Sequence, residues 1–148
     1  MAKIYVIGSL RGDGVRWVAA ELRDDGHEVF DDWHASGPEA DDIWQTYEQD
    51  RGHGFVEALT GKFAKHVLEF DKAGMEWADI GLLVLPAGKS GHLELGAYFV
   101  NVKGKEAHIL MEDEPDRWDQ MYGLATGVWP SLEMFRAYLR AREEARKP

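Results

Sequence analysis

The pattern of apolar and polar segments predicts an α/β domain organised around residues 78–110. Residues 80–85 read Ile-Gly-Leu-Leu-Val-Leu, and a Gly-rich turn at 86–91 follows this apolar run. A helix is expected from 92 to about 103, and a second apolar run follows at 107–110. Strands that are apolar on both faces are typical of parallel sheets, because helices cover both sides of such sheets. The segment therefore predicts a strand–helix–strand unit at the centre of the fold.

The remainder of the chain continues this alternation. Further strands are predicted at 3–7 and 27–30, with an edge strand at 128–130. Three further helices are predicted from their apolar stripes. The first buries Val15, Val18, Ala19 and Leu22; the second begins at 55 and has Val56, Leu59, Phe63, Val67 and Phe70 on one face; the last is capped by Ser131 and buries Leu132, Phe135 and Leu139. Residues 31–54 show little apolar periodicity, so a long loop of the kind that often covers a binding site is expected there. We predict a single three-layer α/β/α domain over 1–148, with about five mainly parallel strands, of the flavodoxin-like or Rossmann-like class.

Composition narrows the possible functions. The 148 residues are 45% hydrophobic and 30% charged, which suits one domain with a proper core. The formal charge of −10 opposes binding to a nucleic-acid polymer, and no apolar run approaches the roughly 20 residues that cross a bilayer. The chain has no cysteine, which excludes disulfides and thiolate chemistry. We expect a cytoplasmic protein without a targeting sequence or membrane contact.

Glu94 is the first candidate for chemistry. It is expected in the first turn of the helix that follows the central strand, where open α/β sheets place their ligands. The unpaired N–H groups and the helix dipole would favour its ionised form by roughly 0.3–1 kcal/mol. The alternative is purely structural: with Gly91 as the N-cap, Glu94 is the third helical residue and can bond back to the cap.

The loop after the first strand is a second candidate. It reads Gly-Ser-Leu-Arg-Gly-Asp-Gly over 8–14, which matches neither the dinucleotide-binding fingerprint nor a P-loop. Backbone N–H groups at Gly8, the Ser9 hydroxyl and the Arg11 guanidinium can nevertheless converge on one phosphate. An ordinary strand-to-helix turn with a solvated arginine is the alternative.

Aromatic and histidine side chains supply weaker signals. Trp33 and Trp44 can stack on a flat ligand such as a nucleobase, or form core at the base of a loop. His92, two residues before Glu94, is either a contact to a base or phosphate or a partly exposed helix-start histidine. No histidine spacing matches a metal-binding motif, so neither a metal site nor a cofactor is expected.

Several of these segments together resemble one enzyme family. They are Ile4-Tyr5-Val6-Ile7-Gly8-Ser9-Leu10-Arg11-Gly12, Asp71 placed before Ala78-Asp79, Ser90-Gly91-His92-Leu93-Glu94-Leu95-Gly96-Ala97, and Gly104-Lys105. In order and spacing they resemble the nucleoside 2-deoxyribosyltransferases, including the 2′-deoxynucleoside 5′-monophosphate N-hydrolases. The resemblance spans most of the chain.

The resemblance implies a role for each matching residue. Glu94 corresponds to the catalytic nucleophile, Asp71 to its acidic partner and Tyr5 to the residue that orients the glutamate. Ser9 and Arg11 resemble the phosphate contacts of the N-hydrolase branch, and Ser90 a serine of the loop before the nucleophile. That loop is one residue shorter here than the N-hydrolase pattern. The resemblance also implies a homo-oligomer, a dimer or higher, in which a neighbouring subunit contributes to each site.

The function expected from these observations is cleavage of an N-glycosidic bond. The substrate would be a small 2′-deoxynucleoside or its 5′-monophosphate, with release of the sugar to water or to a second base. A non-catalytic nucleotide-binding or sensing module of the same fold is the main alternative. A phospho-accepting receiver with Asp31 and Asp32 is a third reading, but Gly8-Ser9 stand where such a protein needs an acidic cluster.

Overall fold

The computed structural model describes residues 1–148 and contains five β-strands, six α-helices and two short 3-10 helices. The strands are β1 (Lys3–Ile7), β2 (Glu28–Phe30), β3 (Ile80–Val84), β4 (Glu106–Leu110) and β5 (Gly127–Trp129), and the helices are α1 (Gly14–Asp24), α2 (Ala40–Asp50), α3 (Phe55–Leu59), α4 (Lys62–Trp77), α5 (Lys89–Tyr98) and α6 (Leu132–Arg146). The 3-10 helices span Asp32–Ser36 and Gln120–Leu124. No helix is both long and apolar enough to cross a membrane.

The strands form one parallel sheet in the order β2-β1-β3-β4-β5. The predicted central strand β3 pairs with β1 on one side and β4 on the other, and all five of its residues are buried. The predicted three-layer α/β/α class with about five parallel strands is therefore confirmed. The chain order reverses between β1 and β3, and open α/β sheets bind their ligands beside such a point.

Two apolar cores lie on opposite faces of the sheet. One core joins α1 and α6 to side chains of β1 and β3 such as Val6 and Leu82. The other joins α4 and α5 to the alternate side chains, among them Tyr5, Ile7 and Leu83. Successive strand residues point to opposite faces, so each strand contributes to both cores. The predicted stripes of α1 and α6 are buried as expected, and the Ser131 hydroxyl accepts a bond from the Met134 N–H (3.3 Å).

The segment 31–54 is not the long loop that its sequence predicted. It contains the 3-10 helix Asp32–Ser36 and the helix α2. The prediction failed because α2 has almost no buried side: Ile43 and Tyr47 are 64% and 57% exposed. Glu48 is the buried residue of α2. His53 Nδ1 lies 2.6 Å from Glu48 Oε2, and this contact joins the end of α2 to the turn that follows.

The apolar face predicted from residue 55 onward exists, but it is not buried. The helix is interrupted at Thr60 and Gly61, which end α3 and begin α4. The residues of the predicted stripe are exposed by 76% (Val56), 48% (Leu59), 55% (Phe63), 40% (Val67) and 47% (Phe70). Periodicity identified the stripe correctly, but it carries no information about what covers it.

Candidate active site

Tyr5, Asp71 and Glu94 lie close enough to act on one another electrostatically, where α4 and α5 lie over β1; this region is called the groove. Tyr5 is fully buried in β1, Asp71 lies on α4 and Glu94 on α5. The charges of Glu94 and Asp71, after the larger effect of burial, raise the pKa of the Tyr5 hydroxyl far above its usual value. The structure therefore brings three of the residues predicted for the site to one place.

Close helix–strand packing sets the position of Tyr5. Its ring stacks on Phe30 with centroids 5.2 Å apart and contacts Phe99 at 6.4 Å. Gly74, one turn beyond Asp71 on α4, lies against both rings. A Cβ built at Gly74 would lie 2.9 Å from Tyr5 Cε2 and 2.8 Å from Phe30 Cε1, closer than real Cβ contacts. Glycine at this position allows α4 to approach the aromatic side chains of the sheet.

Glu94 occupies a different position in its helix from the one expected. The helix α5 begins at Lys89 with Gly88 as its N-cap, so Glu94 lies in the second turn and Gly91 in the first. The predicted back-bond of Glu94 to a Gly91 cap is therefore wrong, and so is the expected first-turn stabilisation of its charge. Burial, and then the charge of Asp71, raise the pKa of Glu94 from 4.5 to about 7.

Asp71 reaches this groove from an unbroken helix. A break near Ala73 and Gly74 was expected to be necessary, but α4 runs continuously through Lys62–Trp77. The break is unnecessary because Glu94 lies more than a turn down α5, and α4 and α5 both run antiparallel to the strands, so the two residues meet over the middle of β1. Burial raises the pKa of Asp71 to about 6.

Two polar atoms in this groove are buried without a hydrogen-bond partner. They are the Tyr5 hydroxyl oxygen and Asp71 Oδ1. A buried polar group without a partner costs about 1–3 kcal/mol, and folded proteins rarely tolerate one without a functional reason. Strongly perturbed carboxyl pKa values together with unsatisfied polar atoms are typical of catalytic and binding sites.

Lys105 fixes the end of the helix that carries Asp71. Its ammonium group donates to the carbonyl oxygens of Met75 (2.9 Å), Glu76 (2.8 Å) and Ala78 at the end of α4. Cations stabilise the free carbonyls at a helix C-terminus. Sequence reasoning assigned Lys105 no role of its own, because its partners are backbone atoms that no side-chain pattern reveals.

The predicted phosphate loop lies at the carboxyl edge of the sheet, between β1 and α1. Gly8 packs so closely on Val15 and on the Val84 carbonyl that a Cβ would lie 2.5 Å and 3.2 Å from them. The Ser9 hydroxyl accepts a bond from the Arg11 N–H (3.0 Å). The Arg11 guanidinium extends to Asp42 on α2, with Nη2 3.5 Å from Oδ2.

The two tryptophans have different environments. The indole N–H of Trp33 donates to the Val6 carbonyl (2.8 Å), and the ring packs against both cores. Trp33 is thus held beside β1, near the carboxyl edge of the sheet. The Trp44 ring makes an edge contact with Phe55 at 6.5 Å, and its buried indole nitrogen has no partner.

The residues at the start of α5 do not all face the groove. Ser90 is exposed, whereas Gly91 is buried against Leu83 and Ile7. His92 Nδ1 lies 2.8 Å from the Gly88 carbonyl, and Nε2 lies 2.9 Å from the Tyr122 hydroxyl.

The side chain of His92 therefore points away from Glu94, because residues two apart on an α-helix are separated by about 200°. A shallow hollow of about 620 Å³ adjoins His92, and its lining residues do not include Glu94. Tyr122 was missed as the partner of His92, because the sequence around it shows no sheet or helix pattern.

Comparison with known proteins supports the fold. No family model and no curated protein matches the sequence. A solved structure from work on a 2-deoxyribosyltransferase of the psychrotolerant bacterium Bacillus psychrosaccharolyticus superposes with a TM-score of 0.59 at 20% sequence identity, covering 90% of each chain. Over nine tenths of its length, the chain therefore has the same three-layer α/β fold as that 2-deoxyribosyltransferase structure.

Proposed function

We propose that this protein is an enzyme that cleaves the N-glycosidic bond of a small 2′-deoxynucleoside or of its 5′-monophosphate. The observation that carries the proposal is the pair of carboxyl groups, Asp71 and Glu94, whose pKa values are raised to about 6 and about 7 beside the buried Tyr5 hydroxyl. Between these pH values the pair holds one proton, which lies mainly on Glu94 because its pKa is the higher. In the reactive form this proton has moved to Asp71 and Glu94 is ionised, and the ratio of the two forms does not change with pH. One carboxyl is then available as a nucleophile and the other as an acid.

The proposed reaction has two displacement steps. Glu94 attacks C1′ as the C1′–N bond breaks, and the base leaves with the bonding electron pair while Asp71 supplies a proton to it. The sugar passes through an oxocarbenium-like transition state and becomes an ester of Glu94. Water, or a ring nitrogen of a second base, then attacks C1′, loses its proton to Asp71 and releases Glu94. Two inversions retain the configuration at C1′, and no metal or cofactor takes part.

Tyr5 is assigned an orienting role in this scheme. The Tyr5 hydroxyl stays protonated, because burial and the two carboxylates raise its pKa. A protonated hydroxyl beside Glu94 can donate to one carboxylate oxygen and direct the other at C1′. The same bond would provide the Tyr5 oxygen with its missing partner.

Other residues are assigned to the two ends of the substrate. Gly8, Ser9 and Arg11 would meet the 5′ end, where backbone N–H groups, a hydroxyl and a guanidinium suit an oxyanion. The fixed ring of Trp33 would form a wall for the sugar or the base. Ser90 and Gly91, in the first turn of α5, would border the substrate, whereas His92 points away from Glu94 towards Tyr122. The neighbouring fold belongs to a 2-deoxyribosyltransferase, which is consistent with a nucleoside substrate.

A second copy of the chain is the proposed partner. Nine large apolar side chains on α2, α3 and α4 are between 40% and 76% exposed: Ile43, Tyr47, Phe55, Val56, Leu59, Phe63, Val67, Leu68 and Phe70. Monomeric proteins rarely expose apolar surface so concentrated on consecutive helices. Because α4 also carries Asp71, a copy packed on this surface would border the groove. We therefore assign a homodimer or a higher oligomer.

Release of free base tests the proposed activity. The pure protein is incubated with each of the four common 2′-deoxynucleosides and their 5′-monophosphates, with and without an acceptor base, and products are separated by chromatography. We expect free base or exchanged nucleoside from at least one substrate. Binding of these compounds without any product would instead indicate a non-catalytic nucleotide-binding module.

A further inference from the structure

Arg11, which the proposed function assigns to the 5′ end of the substrate, is already paired with a carboxylate of its own chain. Arg11 Nη2 lies 3.5 Å from Asp42 Oδ2, and the two side chains are 74% and 63% exposed. Asp42 lies in the first turn of α2. The two groups come from segments that are distant in the sequence, and both remain accessible to an incoming ligand.

The backbone on both sides of Arg11 is anchored. Its own N–H donates to the Ser9 hydroxyl (3.0 Å), and the carbonyl of Gly12 lies 3.3 Å from His34 Nε2. The first bond lies within the loop, and the second joins the loop to the 3-10 helix Asp32–Ser36. The pairing of Arg11 with Asp42 thus joins this loop to the first turn of α2.

The surroundings of Arg11 disfavour a phosphate. Asp41 shares the first turn of α2 with Asp42, Glu39 is the N-cap of this helix, and the whole chain carries a formal charge of −10. A phosphate monoester carries about −1.5 to −2 charges at neutral pH. A phosphate on Arg11 must either compete with Asp42 for the guanidinium or bind beside that carboxylate. A free 5′-hydroxyl meets neither cost, since it can donate to Asp42 directly.

We propose that Asp42 is a specificity-determining residue that favours 2′-deoxynucleosides over their 5′-monophosphates by occupying Arg11. The inference rests on the proposed function and narrows its substrate class. In this proposal, the ion pair of Arg11 and Asp42 at the carboxyl edge of the sheet, away from Asp71 and Glu94, discriminates between nucleosides and their monophosphates.

The test compares Asp42→Asn with Asp41→Asn. The second variant removes the same charge from the same helical turn without touching Arg11. The measured quantity is the ratio of kcat/KM for each monophosphate to kcat/KM for its nucleoside. We expect Asp42→Asn to raise this ratio about fivefold, the upper range for an exposed ion pair, and to do so less at high salt. Asp41→Asn should change the ratio less than twofold. Equal effects of both variants would overturn the proposal.

A binding measurement separates this inference from the proposed activity. The same four nucleosides and monophosphates are titrated calorimetrically into the wild type, Asp42→Asn and the double variant Asp42→Asn/Arg11→Ala. We expect Asp42→Asn to strengthen monophosphate binding about fivefold and the double variant to lose this gain. Monophosphate binding no tighter in Asp42→Asn than in the wild type overturns the inference, whether or not base is released. Absence of released base alone contradicts only the activity.

Discussion

Burial and, after it, the charge of Asp71 on α4 raise the pKa of Glu94 on α5 across the groove between the two helices. Burial acts on both carboxyls in the same direction and is the larger cause for Glu94. A pair of this kind resists losing its second proton, because two adjacent half-buried carboxylates repel one another. The groove therefore holds an acid and a base together near neutral pH.

The first prediction concerns the pH dependence of activity. The proposed reaction needs one ionised and one protonated carboxyl, and the pKa values of Asp71 and Glu94 are raised to about 6 and about 7. We expect kcat/KM to pass through a maximum between these values and to fall on both sides. Asp71→Asn should abolish the bell shape and lower the rate. Initial rates from pH 4 to 9 provide the measurement, and a flat profile in the wild type would contradict the assignment.

The second prediction concerns the stability of Glu94→Gln. An acid whose pKa is higher in the folded than in the unfolded state makes the folded state lose stability as pH rises between the two values. For Glu94 these values are 4.5 and about 7. The variant should match the wild type in free energy of unfolding below pH 4.5 and exceed it by about 1–2 kcal/mol above pH 7, with partial solvent screening allowed for.

Urea unfolding at several pH values measures this difference. Glu133→Gln, an exposed position on α6 across the sheet, is the matched control and should show no gain that grows with pH. A Glu94→Gln protein that is less stable than the wild type at pH 8 would show that the glutamate has a structural role.

The third prediction compares two helical glycines. At Gly74 a Cβ would collide with the Tyr5 and Phe30 rings, whereas at Gly96 on α5 nothing lies within 4 Å. Gly96→Ala should raise the free energy of unfolding by up to about 1 kcal/mol through helix propensity. Gly74→Ala should lower it by about 1–3 kcal/mol, because the rings of a packed core must move.

Thermal unfolding and activity are measured on both variants. Displacement of Tyr5 in Gly74→Ala should also reduce kcat more than it changes KM, while Gly96→Ala should retain wild-type kinetics. Equal stability and equal rates in the two variants would show that the contact between Gly74 and Tyr5 is unimportant.

The fourth prediction concerns the exposed apolar surface of α2, α3 and α4. Phe63→Glu places a charge in the middle of this surface, at a side chain that is 55% exposed. Met134→Glu places a charge on α6, at a side chain that is 49% exposed, and serves as the control. We expect sedimentation velocity to show a dimer or larger species for the wild type and Met134→Glu, and a smaller species for Phe63→Glu. A monomeric wild type at micromolar concentration would contradict the proposed assembly.

The sequence predicted the sheet because its strands are short apolar runs bounded by turn residues. The run at 80–85 forms β3, the most buried strand. The stripe of Val15, Val18, Ala19 and Leu22 is the buried side of α1, as expected. These patterns reflect burial within one chain, which periodicity detects directly. The exposed helices α2 and α3 were missed or misjudged because most of their large apolar side chains are exposed and are not packed on the sheet.

The candidate site was predictable only in part. Glu94 was chosen from its position after the central strand, and Tyr5 and Asp71 from the resemblance of their local motifs; the structure brings the three together. Their convergence depends on how α4 and α5 pack on the sheet, and the position of α4 depends on Gly74 and on the backbone contacts of Lys105. Contacts of this type join residues far apart in the chain, so local spacing does not encode them.

The most direct measurement of the central claim is the mass of the peptide that contains Glu94 during turnover. The protein is mixed with a 2′-deoxynucleoside that yields free base, quenched with acid within the first turnovers, digested and analysed by mass spectrometry. We expect one deoxyribosyl group attached to Glu94, absent in Glu94→Gln and undiminished in Glu133→Gln. Rapid release of base with no sugar on Glu94, or with the sugar on another residue, would contradict it.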